Sequence, residues 1–151
     1  MSLFRWMSRM RIFPGLRRIG VYRVKGPSME PSLCDGDFLM VWGVDDASML
    51  HRGDVVVFSH PSVEDRLMLK RVAAVQGERV GVVEGRVVVE PGDDSMEMWE
   101  MEWILDEDEW FVLGDNPSAS LDSRRLGPIK GSWIIGRVWF RYWPLFRGIL
   151  A

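Results

Sequence analysis

Between residues 37 and 140 the apolar residues come in short runs, each about the length of a β-strand and bounded mostly by glycine, proline or acidic residues. The runs fall at 37–44, 54–59, 66–76, 80–83, 86–89, 97–105, 111–113 and 132–140. Glu84 and Gly85 sit between two of them as a hairpin turn. In 97–105 Trp99, Met101, Trp103 and Leu105 are apolar while Glu100 and Glu102 are charged, the period of a half-buried strand. Helical periodicity is scarce. Eight or nine short strands in 151 residues predict a mostly β, compact antiparallel domain with a single modest core.

The net charge of −3 conceals an uneven layout. Residues 1–25 carry +7, residues 124–151 carry +6, and the stretch between them carries −16. A uniformly basic nucleic-acid binder is excluded on that pattern, and no nucleic-acid partner is expected. Both basic ends are interleaved with aromatics: Phe4, Trp6 and Phe13 at the start, Trp133, Trp139, Phe140, Tyr142, Trp143 and Phe146 near the end. Arginines among rings suit an anionic membrane surface, where rings settle at headgroup level. They equally suit an arm packed on its own domain with its arginines solvated.

Other classes drop out quickly. Cys34 is alone, so no internal disulfide forms. With that cysteine and only His51 and His60, no zinc site is expected, and neither a metal nor another cofactor is called for. No stretch approaches the roughly 20 apolar residues of a spanning helix. The N-terminal residues lack the apolar core and small-residue cleavage site of a signal peptide. The run Asp106, Glu107, Asp108, Glu109 reads as a solvated loop, and the methionines at 96–101 as strand packing.

Four clusters are candidates for chemistry. In Gly26-Pro27-Ser28-Met29-Glu30-Pro31-Ser32-Leu33 a serine lies between two prolines that stiffen the backbone. Such a segment either holds a hydroxyl at a fixed angle or is simply a loop. In 67–75, a strand would set Lys70 on one face with Met68, Val72 and Ala74. Apolar surroundings disfavour the ammonium and turn a lysine into a general base, unless it snorkels to water at a sheet edge. Gly114-Asp115-Asn116-Pro117 is turn chemistry, followed by Ser120, Asp122, Ser123 and Arg124, in which Asp122 and Arg124 can form an ion pair. Gly36-Asp37 and Gly53-Asp54 are turns that introduce strands.

In order and wording these clusters resemble the type I signal peptidase family of serine proteases. The first resembles the family's nucleophile motif, Ser-Met-x-Pro-Thr-Leu, with Ser32 in place of threonine. Gly53-Asp54-Val55-Val56 is similar to its Gly-Asp-Val-Val strand, and Leu69-Lys70-Arg71-Val72 to the segment carrying its base. Residues 114–124 resemble its closing Gly-Asp-Asn…Ser-x-Asp-Ser-Arg box, and Gly136-Arg137 with Tyr142-Trp143-Pro144 fit its tail. The resemblance spans about residues 20–145.

It implies a signal peptidase-type β domain at 19–145, with a reduced second β region at 77–110, a basic aromatic arm at 1–18 and a tail at 146–151. It implies that Ser28 attacks the scissile carbonyl and Lys70 takes its proton, with Ser120 orienting the lysine amine and Asp122–Arg124 bracing that wall. Met29 would border the pockets for small substrate residues, and the Ser28 N–H would be one oxyanion donor. The partner is then a precursor protein with a signal or leader peptide, bound as an added strand. Gly26 departs from the serine that many bacterial members carry there as a second oxyanion donor. The sequence leaves rival readings: a Ser-His-Asp site using His51 or His60, a dedicated maturation protease such as that for nickel-type superoxide dismutase, and a non-catalytic domain docking on membranes or a partner. Peripheral membrane association is the expected location, with a cytoplasmic one as the alternative.

Overall fold

The computed structural model describes residues 19–90 and 99–144. Among these residues there are ten strands: β1 (Ile19–Arg23), β2 (Phe38–Gly43), β3 (Val55–Ser59), β4 (Leu67–Ala74), β5 (Arg79–Val83), β6 (Arg86–Glu90), β7 (Met101–Ile104), β8 (Glu109–Leu113), β9 (Ile129–Lys130) and β10 (Ile134–Trp143). One short helix, α1 (Ser123–Leu126), precedes β9. Seven strands form one sheet in the order β1-β2-β10-β3-β4-β8-β9, and β6-β5-β7 form a smaller one. The recorded pairings are antiparallel, as the strand spacing predicted.

The run at β3 is continuous rather than alternating because the strand is covered on both sides. Val55 and Val57 join a cluster with Leu39, Val41 and Leu69. Val56 and Phe58 join another with Met68, Val72, Trp110 and Val112. Phe58 is fully buried, so truncating it to alanine would cost about 3–5 kcal/mol. A third cluster of Ala74, Val80, Leu105 and Phe111 ties the small sheet to the ends of β4 and β8. The β5–β6 hairpin turns at Glu84 (φ 49) and Gly85 (φ 73), the left-handed pair that a two-residue turn needs.

Several expectations change. β1 and β9 were not expected as strands. The alternating run at 97–105 forms a strand only over Met101–Ile104, and residues 97–98 lie outside the described residues. The acidic run is not wholly a solvated loop: Glu109 opens β8 and pairs with Lys130 at 2.8 Å, and the Asp108 carboxylate accepts the Gly131 N–H at 3.2 Å. The arms at 1–18 and 146–151 lie outside the described residues. Arg141 is no solvated cation, because its side chain is buried against Asp37 at 3.2 Å.

Candidate active site

The two prolines frame a tight turn. Glu30 N–H donates to the Pro27 carbonyl at 3.1 Å and Leu33 N–H to the Met29 carbonyl at 2.9 Å. This winding buries Met29 and Leu33 in the core, and Ser28 is only 9% exposed. Met29, at 1% exposed, presents almost no surface and lies beneath the turn. The Ser28 carbonyl accepts the Asn116 N–H at 3.1 Å, so the loop after β8 grips the turn from outside.

Lys70 comes from the middle of β4, opposite Val56 of β3 and on the same side as buried Met68 and Val72. Its Nζ donates to Ser28 Oγ at 2.9 Å and to the Leu69 carbonyl at 2.8 Å. The lysine is 3% exposed. Burial lowers its pKa to about 8; the Asp122 and Asp115 carboxylates pull the other way, and Arg66 adds slightly to the lowering. An amine with that value has a sizeable neutral fraction near neutral pH, which a general base requires.

Asp122 caps α1, its carboxylate accepting the Arg124 N–H at 3.3 Å. The same carboxylate takes the Arg124 guanidinium in a two-pronged grip at 2.9 and 2.8 Å, and the Gly114 N–H at 3.0 Å. Burial alone would raise its pKa, but the hydrogen bonds from Arg124 and Gly114, with Ser120 and the Arg124 charge, hold it below the usual value. Asp122 is thus a fixed negative charge near Lys70.

Ser120 stands differently from its expected place. Its Oγ is buried and packs against Gly114, with no hydrogen bond to Lys70. The Lys70 amine is held by Ser28 and the Leu69 carbonyl instead. Residue 114 has to be glycine for this packing: a Cβ there would overlap Ser120 Oγ and lie 2.5 Å from the Ser28 carbonyl oxygen.

Arg71 and Asp115 form a second two-pronged pair, at 2.9 and 2.7 Å, while the other Arg71 prong reaches the Gly53 carbonyl at 2.8 Å. The sequence reading gave these two residues no role, although both sit inside quoted motifs beside Lys70 and Gly114. Together they tie the turn before β3, the lysine strand and the loop that grips Ser28. Neither histidine bonds Ser28; His60 Nδ1 accepts the Ser62 N–H at 3.0 Å. Among the described residues no group of three or more His, Cys, Asp or Glu stands together as a metal site.

A buried serine hydroxyl, a buried amine of lowered pKa at hydrogen-bond distance and a braced wall behind them are the parts of a serine nucleophile with a lysine base. Comparison with known proteins agrees in kind. A family model described as signal peptidase, peptidase S26, matches residues 9–97 and 89–143. The chain is 34% identical over 145 residues to signal peptidase I of Bacillus caldolyticus, covering 82% of this chain and 79% of that one. It is 30% identical over 127 residues to mitochondrial inner membrane protease subunit 1 of Homo sapiens, covering 83% and 70%. A solved signal peptidase I from Enterococcus faecalis V583 is similar with a TM-score of 0.46 and 22% identity, covering 58% of this chain and 95% of that one.

Proposed function

Because the chain belongs to the signal peptidase family, peptidase S26, and is a serine endopeptidase of the signal peptidase I type, we propose that Ser28 is its nucleophile and Lys70 its general base. The observation that carries this reading is the 2.9 Å contact between Lys70 Nζ and Ser28 Oγ, two buried side chains. Neutral Lys70 takes the Ser28 proton as Oγ adds to the scissile carbonyl. The ammonium so formed returns a proton to the leaving amine when the C–N bond breaks. Lys70, neutral again, takes a proton from the water that attacks the acyl-serine, which releases the new carboxyl end and restores Ser28.

The Ser28 N–H has no acceptor among the described residues and is the first oxyanion donor. Gly26 supplies no hydroxyl, and its N–H is taken by Asp35 Oδ1 at 2.6 Å. Asp122, held by Arg124, and Asp115, held by Arg71, keep the lysine wall in place. Ser120 contributes its buried hydroxyl to the packing around Gly114 beside them. The substrate is a precursor protein whose signal or leader segment lies extended beside the turn.

The surface that meets the membrane, in this reading, is aromatic. Phe38, Met40 and Trp42 alternate onto one face of β2, half-buried, beside Trp139 and Trp143 of β10, each 57% exposed. Rings of this kind favour the headgroup layer. Among the described residues no helix is long and apolar enough to cross a membrane. Cleavage of a precursor by purified protein tests the catalytic reading: Ser28→Ala and Lys70→Ala should each abolish it, and undiminished cleavage by either variant would refute the pair.

A further inference from the structure

Among the described residues Arg141 is the only buried arginine. It lies opposite Leu39, which is fully buried, so it points to the inner side of β10. The strand gets it there by a register shift between Val138 and Phe140, and a second shift follows between Arg141 and Trp143. Bulges re-aim side chains in this way. Upstream, Ile135, Arg137 and Trp139 face water. A guanidinium in a leucine–valine core is costly to desolvate, and apolar residues of similar volume would serve stability at least as well.

Its contacts converge on the segment that carries the nucleophile. Arg141 Nη1 donates to Asp37 Oδ2 at 3.2 Å and to the Ser32 carbonyl at 3.3 Å. Asp37 Oδ2 also accepts the Cys34 N–H at 2.9 Å, and the Asp37 N–H donates to the Cys34 carbonyl at 3.1 Å. One guanidinium therefore ties both ends of residues 32–37. That stretch continues the turn containing Ser28, which Asn116 holds from the opposite side.

We propose that the buried Arg141–Asp37 pair is a positioning device for the nucleophile, fixing residues 32–37 so that Ser28 Oγ stays within reach of Lys70 Nζ. The inference rests on Ser28 and Lys70 being the catalytic pair. Arg141 and Asp37 touch neither substrate nor reacting atoms; they act through the turn.

Two changes test it. Arg141→Lys keeps a cation for Asp37 but gives up the planar fork. Arg141→Met combined with Asp37→Leu removes both charges and keeps the core filled. Turnover of a precursor peptide is measured per folded enzyme, with KM, the pH profile and thermal unfolding followed alongside. The expected result is a kcat lowered about tenfold or more, the size of effect that a small misplacement of a reacting group produces. KM should stay within about threefold, the pH midpoint should remain that of Lys70, and the variants should remain folded. A kcat within about twofold of the parent in Arg141→Lys overturns the proposal, whether or not the double change folds. So does a pH midpoint moved by about one unit, which would place the loss at Lys70 itself. Ser28→Ala runs beside them: if it cleaves normally the catalytic pair falls and this inference with it, whereas its inactivity together with a normal Arg141→Lys refutes positioning alone.

Discussion

Gly114 and Ser28 are packed so closely that a methyl group on residue 114 would sit 2.5 Å from the Ser28 carbonyl oxygen. The contact joins the loop after β8 to the Ser28 turn, and the Asn116 N–H closes it at 3.1 Å. Gly114→Ala must push that carbonyl or the Ser120 side chain away. We expect a loss of about 1–3 kcal/mol in stability, as overpacking usually costs, and a kcat reduced by more than tenfold (about 1.4 kcal/mol in barrier). Denaturant unfolding and peptide cleavage measure the two. A fully active variant would show that the turn accommodates the methyl without moving Ser28.

The lowered pKa of Lys70 sets the pH dependence. Only the neutral amine accepts the Ser28 proton, so kcat/KM should rise with pH toward a midpoint near 8 and level off above it. Stability follows the same group with its own sign. Between about 8 and the unfolded value of 10.5 the unfolded chain binds the additional proton, so stability rises with pH in that window. Against Lys70→Met the gain should be on the order of 3 kcal/mol. A flat difference from pH 8 to 10.5 would contradict a lysine held short of water.

Asp122 raises the Lys70 pKa against the larger effect of burial. Asp122→Asn, which keeps the size and can still accept the Gly114 N–H, should therefore move the activity midpoint below 8. It also leaves Arg124 without its carboxylate, at a cost of about 3 kcal/mol, since one partner of a mostly buried pair is lost. In the parent enzyme the Asp122 contribution is complete above the unfolded value of 3.8 and disappears as pH falls through its lower folded value. A midpoint that stays put or rises would remove Asp122 from the electrostatics of the base.

The parts of this arrangement that depend on local pattern were legible in the sequence. The continuous run at β3, the Glu84–Gly85 hairpin and a lysine set among Met68 and Val72 all follow from residue order. What sequence could not supply was aim. Arg141 looks like one more cation between aromatic residues until the register shift after Val138 turns it inward. β1 is a five-residue edge strand without a long apolar run, and β9 is two residues long, below any periodicity. The Arg71–Asp115 pair joins residues 44 apart, beyond the reach of any local pattern.

Docking on a bilayer should depend on the exposed rings of β10. Replacing Trp139 and Trp143 with serine should weaken co-sedimentation with phospholipid vesicles several-fold, while cleavage of a short soluble peptide stays near the parent rate. Unchanged vesicle binding would move the contact elsewhere on the molecule.

Acyl transfer to Ser28 is the step on which the account turns, and intact-mass analysis of enzyme quenched during turnover of a slowly hydrolysed peptide ester reads it directly. The mass of the acyl group should appear on the peptide containing Ser28, and should be absent in Lys70→Met, which stays folded but lacks the base. An adduct on Cys34 or on another serine, or equal acylation of Ser28 without Lys70, would contradict the account.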